Sequence, residues 1–365
     1  MIRTVLISCF LATSLWAQTG AQSRELDLKP DAGWVDTGVA LSAGDTFTVT
    51  ATGQLQYSGE KTPANGPAGL ARGFADLIKS FPVNDAGRGA LVGRIGDNAA
   101  ARAFLIGANY SGRAPVAGHL FVAVNQSSFD QASGSYHLTI QRTAAAPTAA
   151  QTAAQNLTVP PFPQKLLDSI PRRVSDPNGA PGDRVNFILV GSKEQVQAAL
   201  KAAGWVVVDR TQQEAIVTGL LASLSKDAYV SMPMSELRLY GRAQDFGYAQ
   251  ADPLQVVASR HHFRLWKAPF DLDGQTVWIG AGTHDIGFER DQRNNGITHK
   301  IDPNTDAERD YIRDSLTQTG MTVKTTYMTA TNPVTSARTA TGGQFHSDGR
   351  TLIVYLKPAA STASR

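Results

Sequence analysis

Ser259-Arg-His-His-Phe-Arg-Leu-Trp266, then Gln275-Thr-Val-Trp-Ile-Gly-Ala-Gly-Thr-His-Asp-Ile-Gly-Phe-Glu289, then Ile297-Thr-His-Lys-Ile-Asp302, form the stretch around which the C-terminal half is organised. Four of the seven histidines of the 365-residue chain lie in it: His261, His262, His284 and His299. Phe263, Leu265 and Trp266 predict a strand, so side chains alternate between faces. One face carries Arg260, His262, Arg264 and Trp266. The other carries His261, Phe263 and Leu265. Two guanidinium groups flanking His262 suit an anionic ligand, because Arg forks match carboxylate and phosphate oxygens. They also depress the basicity of His262. The alternative is that both arginines pair with acidic side chains on a neighbouring strand.

The second segment predicts another strand. Gly280 and Gly282 leave room for close backbone or ligand approach, and His284-Asp285 falls at its end, where functional groups collect. Neutral imidazole with carboxylate suits zinc, iron or manganese. The candidate metal ligands are His262, His284 and His299, with Asp285 and Asp302 beside them. No spacing matches a motif such as HExxH. The alternative is a set of hydrogen-bonded histidines that each orient a turn.

The first 21 residues have a positive Arg3 and an apolar run from Val5 to Trp16, too short to span a bilayer. They predict a signal peptide cleaved after Ala17 or Ala21, and a periplasmic or secreted product. Leu6-Ile-Ser-Cys9 is similar to a lipoprotein box, but only eight residues precede the cysteine. Cys9 is the only cysteine, so a cleaved chain has no disulfide and stands by core burial. A net charge of +3 with 18% charged residues argues against nucleic-acid binding. No second segment is apolar enough to cross a membrane. Oligomeric state is not encoded in any pattern here.

Residues 24–142 alternate with period two in Thr46–Thr50, Leu120–Val124 and Ser135–Ile140, between turn signals such as Ala43-Gly-Asp45. This predicts an all-β sandwich or jelly roll. Residues 143–160 read as an uncharged Ala/Thr/Pro linker, and 359–365 as a disordered tail. In the second domain Ser192 and Gln195 form a capping box, Val196, Leu200 and Ala203 recur at helical spacing, and Gly204 ends the helix. A second box at Thr211 and Glu214 opens a helix through Leu224. A third, at Thr305 and Glu308, opens one with Ile312 and Leu316 on one face and Asp306, Asp310 and Asp314 on another. Strands interleave with these helices, so the domain is α/β (α+β) with a mixed sheet. Ser192 reads as a cap, not a nucleophile, and neither a phosphate loop nor a G-x-S-x-G elbow occurs.

The run Trp34–Gly59, Ala90-Leu-Val-Gly-Arg-Ile-Gly-Asp97 and Gly118–Ile140 resembles the PA-IL (LecA-like) galactose-binding jelly roll. That resemblance implies calcium and sugar on a loop rich in Asp and Asn, helped by a Tyr. Tyr57 and Asn125 match, and Asp130 lies in the loop. Gln126 stands where Asp is expected, Ser128 where Thr is, and Gln131-Ala132 where Asn-Asn would be. These changes weaken a calcium site, since Ca²⁺ wants six or more oxygens.

Residues 161–358 resemble the LssY-like C-terminal domain. The carrying blocks are Tyr240-Gly-Arg-Ala-Gln-Asp245, Arg260–Trp266, Trp278–Asp285, Ile297–Asp302 and Asp306-Ala-Glu-Arg-Asp310. The resemblance carries no established activity. Relatives join this domain to membrane domains resembling DedA and lipid-phosphate phosphatases, which implies envelope lipids or phosphorylated ligands. The expected function is a binding or accessory protein. Its C-terminal domain would hold an anionic, phosphorylated or carboxylated ligand through Arg260, His262, Arg264, His284, His299 and Asp302, and its sandwich would contact envelope glycan. The alternatives are a structural factor or a metal-assisted hydrolase acting on a phosphoester or glycan, with His284 and Asp285 as catalytic candidates.

Overall fold

The computed structural model describes residues 22–58, 64–73, 76, 79, 81–146, 159–208, 234–250, 260–290, 297–339 and 342–357. The predicted signal peptide, the helix from Thr211, the tail and most of the linker lie outside these residues.

The N-terminal region is a sandwich of two four-stranded sheets. One has the order β1 (Gln22–Leu28), β8 (Ala132–Thr143), β3 (Thr46–Tyr57), β6 (Asn109–Arg113). The other has the order β2 (Val35–Leu41), β7 (Gly118–Val124), β4 (Leu91–Ile95), β5 (Phe104–Leu105). The period-two pattern decides which side faces inward. Phe47, Val49 and Ala51 of β3 and Tyr136, Leu138 and Ile140 of β8 are buried, while between those of β3 Thr48 is half-buried and Thr50 exposed. Leu91, Leu120 and Val122 complete this core from the second sheet.

The C-terminal region is built on an eight-stranded mixed sheet. Its order is β10 (Val206–Val207), β11 (Phe246–Gln250), β12 (Arg260–Leu272), β13 (Gln275–Arg290), β9 (Phe187–Val190), β16 (Arg350–Leu356), β15 (Thr322–Thr329), and β14 (Ile297–Ile301) pairs with the end of β13. Only β9 and β16 run parallel among these pairs. All four residues of β9 are buried, as expected for a strand covered on both faces.

Helices α2 (Lys193–Ala202) and α3 (Thr305–Thr317) cover one face. Val196, Leu200, Ile312 and Leu316 pack there on Phe187, Leu189, Phe263 and Leu265. The other face carries Ile188, Trp266, Val277 and Ile353 against Leu167 and Ile170 from α1 (Gln164–Ser169) and its exit. Both bonds of the capping box at Ser192 and Gln195 are present. The box expected at Thr305 and Glu308 is not: Asn304 caps α3, its side chain accepting from Ala307 N. Thr305 instead donates to His346 O, and Glu308 turns inward.

Gly280 and Gly282 serve packing. A Cβ on Gly280 would lie 2.2 Å from the Phe187 ring, and one on Gly282 2.6 Å from Ile312 Cδ1. Their bareness lets β9 and α3 press against β13. The sandwich meets α2 and α3 through Arg102, which donates to Ala202 O at 2.8 Å, and Gln318, which donates to Ile95 O at 3.0 Å.

Candidate functional site

The hairpin of β12 and β13 places its polar residues on two opposite faces. Arg260 pairs in register with Asp285, His261 with His284, and His262 with Thr283. On the first face Asp285 is the hub. Its Oδ2 lies 3.5 Å from Arg260 Nε, from His262 Nδ1 and from His299 Nδ1. His262 Nε2 meets Thr283 Oγ1 at 3.0 Å. Arg264 donates to Ser235 O at 3.0 and 3.1 Å and lies 3.9 Å from Asp183. Arg260, His262, Arg264 and Asp285 are all buried. Burial, followed by Arg260 and Arg264, pushes His262 well below its ordinary range. Burial raises the Asp285 carboxyl, against the pull of Arg260, His299 and Arg264.

The row Arg260–His262–Arg264 therefore exists as the alternation requires, but it is not an open anion site. Asp285 and Asp183 already supply its counter-charges from within the protein. A buried network of this kind is costly to break, and it fixes the geometry of its strand end.

The expected metal set does not converge. His262 and His299 face Asp285, whereas His284 points to the opposite side of the sheet, against His261. Asp302 caps the following turn, accepting from Asn304 N at 2.8 Å. Arg260 sits beside the one carboxylate that two histidines share, and a fixed cation there opposes a bound metal ion. Among the described residues no group of three or more His, Cys, Asp or Glu side chains is placed to hold a metal.

The second face joins His284, which the sequence marked, to His261, Glu308 and Tyr311, which it did not mark as a site. His261 Nδ1 lies 2.6 Å from Glu308 Oε2, and Glu308 is fully enclosed. The imidazole is sandwiched between Tyr311, 3.7 Å away and tilted by 3°, and His284, 4.1 Å away and tilted by 7°. Tyr311 donates to Gln250 at 3.2 Å. Burial lowers His261 to about 4 and, with His261 nearby, also lowers His284 to about 4. Burial, reinforced by Asp285 and Asp302, raises Glu308 well above the usual carboxyl range. Burial thus favours the uncharged forms of both imidazoles and of the Glu308 carboxyl, and one hydrogen bond joins the carboxyl to His261 Nδ1.

His261, His284, Glu308 and Tyr311 line an open hollow of about 230 Å³, bordered by Ala99 and Ala100 of the sandwich and by Asp310 and Asp314. Asp310 faces this site, as its spacing on α3 allowed; Asp306 is taken up by Arg309 and Ser347. His346 and Arg350 do not reach it. His346 N–H is bonded to Pro303 O, and Arg350 pairs with Asp348.

In the sandwich the calcium-like loop is satisfied by protein groups. Asp130 Oδ1 lies 2.6 Å from Lys79 Nζ and 3.7 Å from Arg88, and its Oδ2 accepts from Ser127 N and Oγ. The Asn125 side chain is spent on Val83, Ala86 and Gly87. Tyr57 donates to Gln126 at 3.2 Å, and Gln126 donates to Pro30 O. Two cations on the single carboxylate do not fit a calcium ion.

A β-rich chain of a sandwich followed by a mixed-sheet domain is thereby defined. Residues 167–351 match the family described as LssY C-terminus, and the chain belongs to that family. Among solved structures the chain is similar to one described as "EclA N-terminal domain; PllA-like lectin", at 21% identity and a TM-score of 0.26, over 33% of this chain and 94% of that one. A search of the curated proteins found no match.

Proposed function

We propose that this protein is a binding or accessory protein of the bacterial envelope. Its LssY domain takes a small, uncharged, hydrogen-bonding ligand in the cavity beneath His261 and His284. The observation that carries this reading is the His261–Glu308 pair at the wall of a cavity that no Lys or Arg among the described residues lines. A largely apolar hollow with a few convergent polar groups is the usual form of a small-molecule site. Imidazoles and a carboxyl whose burial favours their uncharged forms, beside Asp310 and Asp314, offer donors and acceptors that suit hydroxyl groups and disfavour phosphate. The envelope location rests on the N-terminal leader pattern.

Calorimetric titration of the full chain with neutral monosaccharides and with inorganic phosphate tests this. Saccharide binding that weakens at least about tenfold in His284→Ala, a loss of roughly 1.4 kcal/mol, supports it. Phosphate binding with no saccharide binding overturns it.

A further inference from the structure

A second, larger cavity of about 450 Å³ lies further along α3, between the helix and the sandwich. Asp314 lines both cavities. On the sandwich side Asn98 lines the larger one, and its neighbours Ala99 and Ala100 line the smaller. The two hollows are thus successive stretches of one cleft, with α3 as one wall and the loop at 96–100 as the other. Gln318 clamps the loop to the helix at the far end through Ile95 O. From Glu308 to Gln318 the helix advances about 15 Å at 1.5 Å per residue, longer than a single sugar ring.

The chemistry of the walls is uniform. Among the described residues no Lys or Arg lines either stretch. The carboxylates of Asp36, Asp97, Asp310 and Asp314 line the cleft. Asp310 lies 3.0 Å from Arg309 and Asp314 2.7 Å from Arg313, while Asp36 meets His119, itself a lining residue, at 2.8 Å. Aromatic surface is present at both ends, His261, His284 and Tyr311 at one and Phe121 at the other. Amide and hydroxyl groups of Asn98, Thr317 and Gln318 lie at the far end. A cleft that is partly aromatic and lined by carboxylate, amide and hydroxyl groups fits a chain of hydroxyl-bearing rings, whose O–H groups donate to the carboxylates. It fits a polyanion poorly. The calcium-like loop of the sandwich contributes no residue to it.

We infer that the ligand is a linear, uncharged oligosaccharide gripped by both domains, with one end at His261 and His284 and the other at Asn98 and His119. This rests on the reading of the smaller cavity as the ligand site.

The test is calorimetry on the full chain with neutral oligosaccharide series, β-1,4-glucans and N-acetylated chito-oligomers, each from one ring to six. Affinity is expected to rise at least about tenfold with chain length, roughly 1.4 kcal/mol. His119→Ala and Asn98→Ala, both checked for an unchanged melting temperature, are expected to abolish that rise. Equal affinity for one ring and six, or a rise that both variants leave intact, overturns the two-domain cleft while leaving the smaller site standing. No binding of any saccharide at any length, or preferred binding of an oligolysine peptide, overturns both readings.

Discussion

Glu308 Oε2 and His261 Nδ1 lie 2.6 Å apart across the gap between α3 and β12. Glu308 belongs to the buried side of its helix, four residues before Ile312 and eight before Leu316, so its carboxyl is carried into the protein with the apolar stripe. Burial favours the protonated carboxyl and the neutral imidazole. Glutamine has the same shape and can donate to Nδ1. Glu308→Gln is therefore expected to cost less than about 1 kcal/mol in urea unfolding. Glu308→Ala is expected to cost about 2–4 kcal/mol, through the lost bond and the hollow left behind. A cost of about 3–5 kcal/mol for the glutamine variant would mean a charged pair instead.

Stability should depend on pH through the same cluster. His261 and His284 titrate near 4 when folded against 6.5 as free side chains. The unfolded chain therefore binds more protons between these values, and stability is lost as pH falls from 6.5 to 4. Glu308 has the opposite sign. Its folded value is raised, so its contribution is present at low pH and fades as pH rises above the ordinary carboxyl range. In Glu308→Gln the rise in stability from pH 4 to 6.5 should be steeper than in the parent. In the double variant His261→Gln, His284→Gln it should flatten by about 1–3 kcal/mol, after allowing for the exposed part of His284. Chemical denaturation at several pH values reads both slopes.

Asp285 holds Arg260, His262 and His299 around one buried oxygen. Asp285→Leu is expected to destabilise by about 3–5 kcal/mol, because Arg260 is left buried without its counter-charge. Adding Arg260→Met should recover most of that loss. A single variant that unfolds like the parent would show that the hub bears little of the fold.

Calcium should leave the sandwich unchanged. Lys79 and Arg88 already neutralise Asp130, so neither millimolar calcium nor a chelator is expected to move the melting temperature by more than about 1 °C. A ligand bound only by the folded state raises stability in proportion to its occupancy. A rise of several degrees with calcium would show that the loop opens to admit it.

The residues that announce strands and ordinary helix ends were readable without a structure. The alternation of Phe47, Val49 and Ala51 fixes the inward face of β3. Ser192 and Gln195 form the expected box, and Gly204 follows with φ of 84°. The face shared by Arg260, His262 and Arg264 also follows from period two. The partners of those residues do not. Asp273 and Gly274 make the tight turn of the hairpin, with φ of 46° and 76°. That turn aligns Leu272 with Gln275, but a register shift between Lys267 and Asp271 brings His284 opposite His261. Without the shift Ile286 would stand there. The stacked pair is thus set by a bulge that residue patterning does not reveal.

Glu308 illustrates a second limit. The third position of a capping box and the inward position before Ile312 are the same residue, and sequence alone does not say which role wins. Asn304 took the cap, which left Glu308 to the interior. The one available signal was its place in the 308–312–316 stripe. His261 was likewise grouped with Phe263 and Leu265, correctly for its face, but the strand end lifts it to the margin of the core. The anion and metal readings drew on residue types whose charges prove to be met internally.

The most direct measurement is the ¹H–¹⁵N spectrum of the histidine side chains at neutral pH, assigned with His261→Gln and His284→Gln, during addition of a neutral oligosaccharide and then of phosphate. Neutral imidazoles at His261 and His284 that shift with the saccharide and stay still with phosphate are the predicted result. Charged imidazoles there at neutral pH, or shifts only with phosphate, would contradict the account.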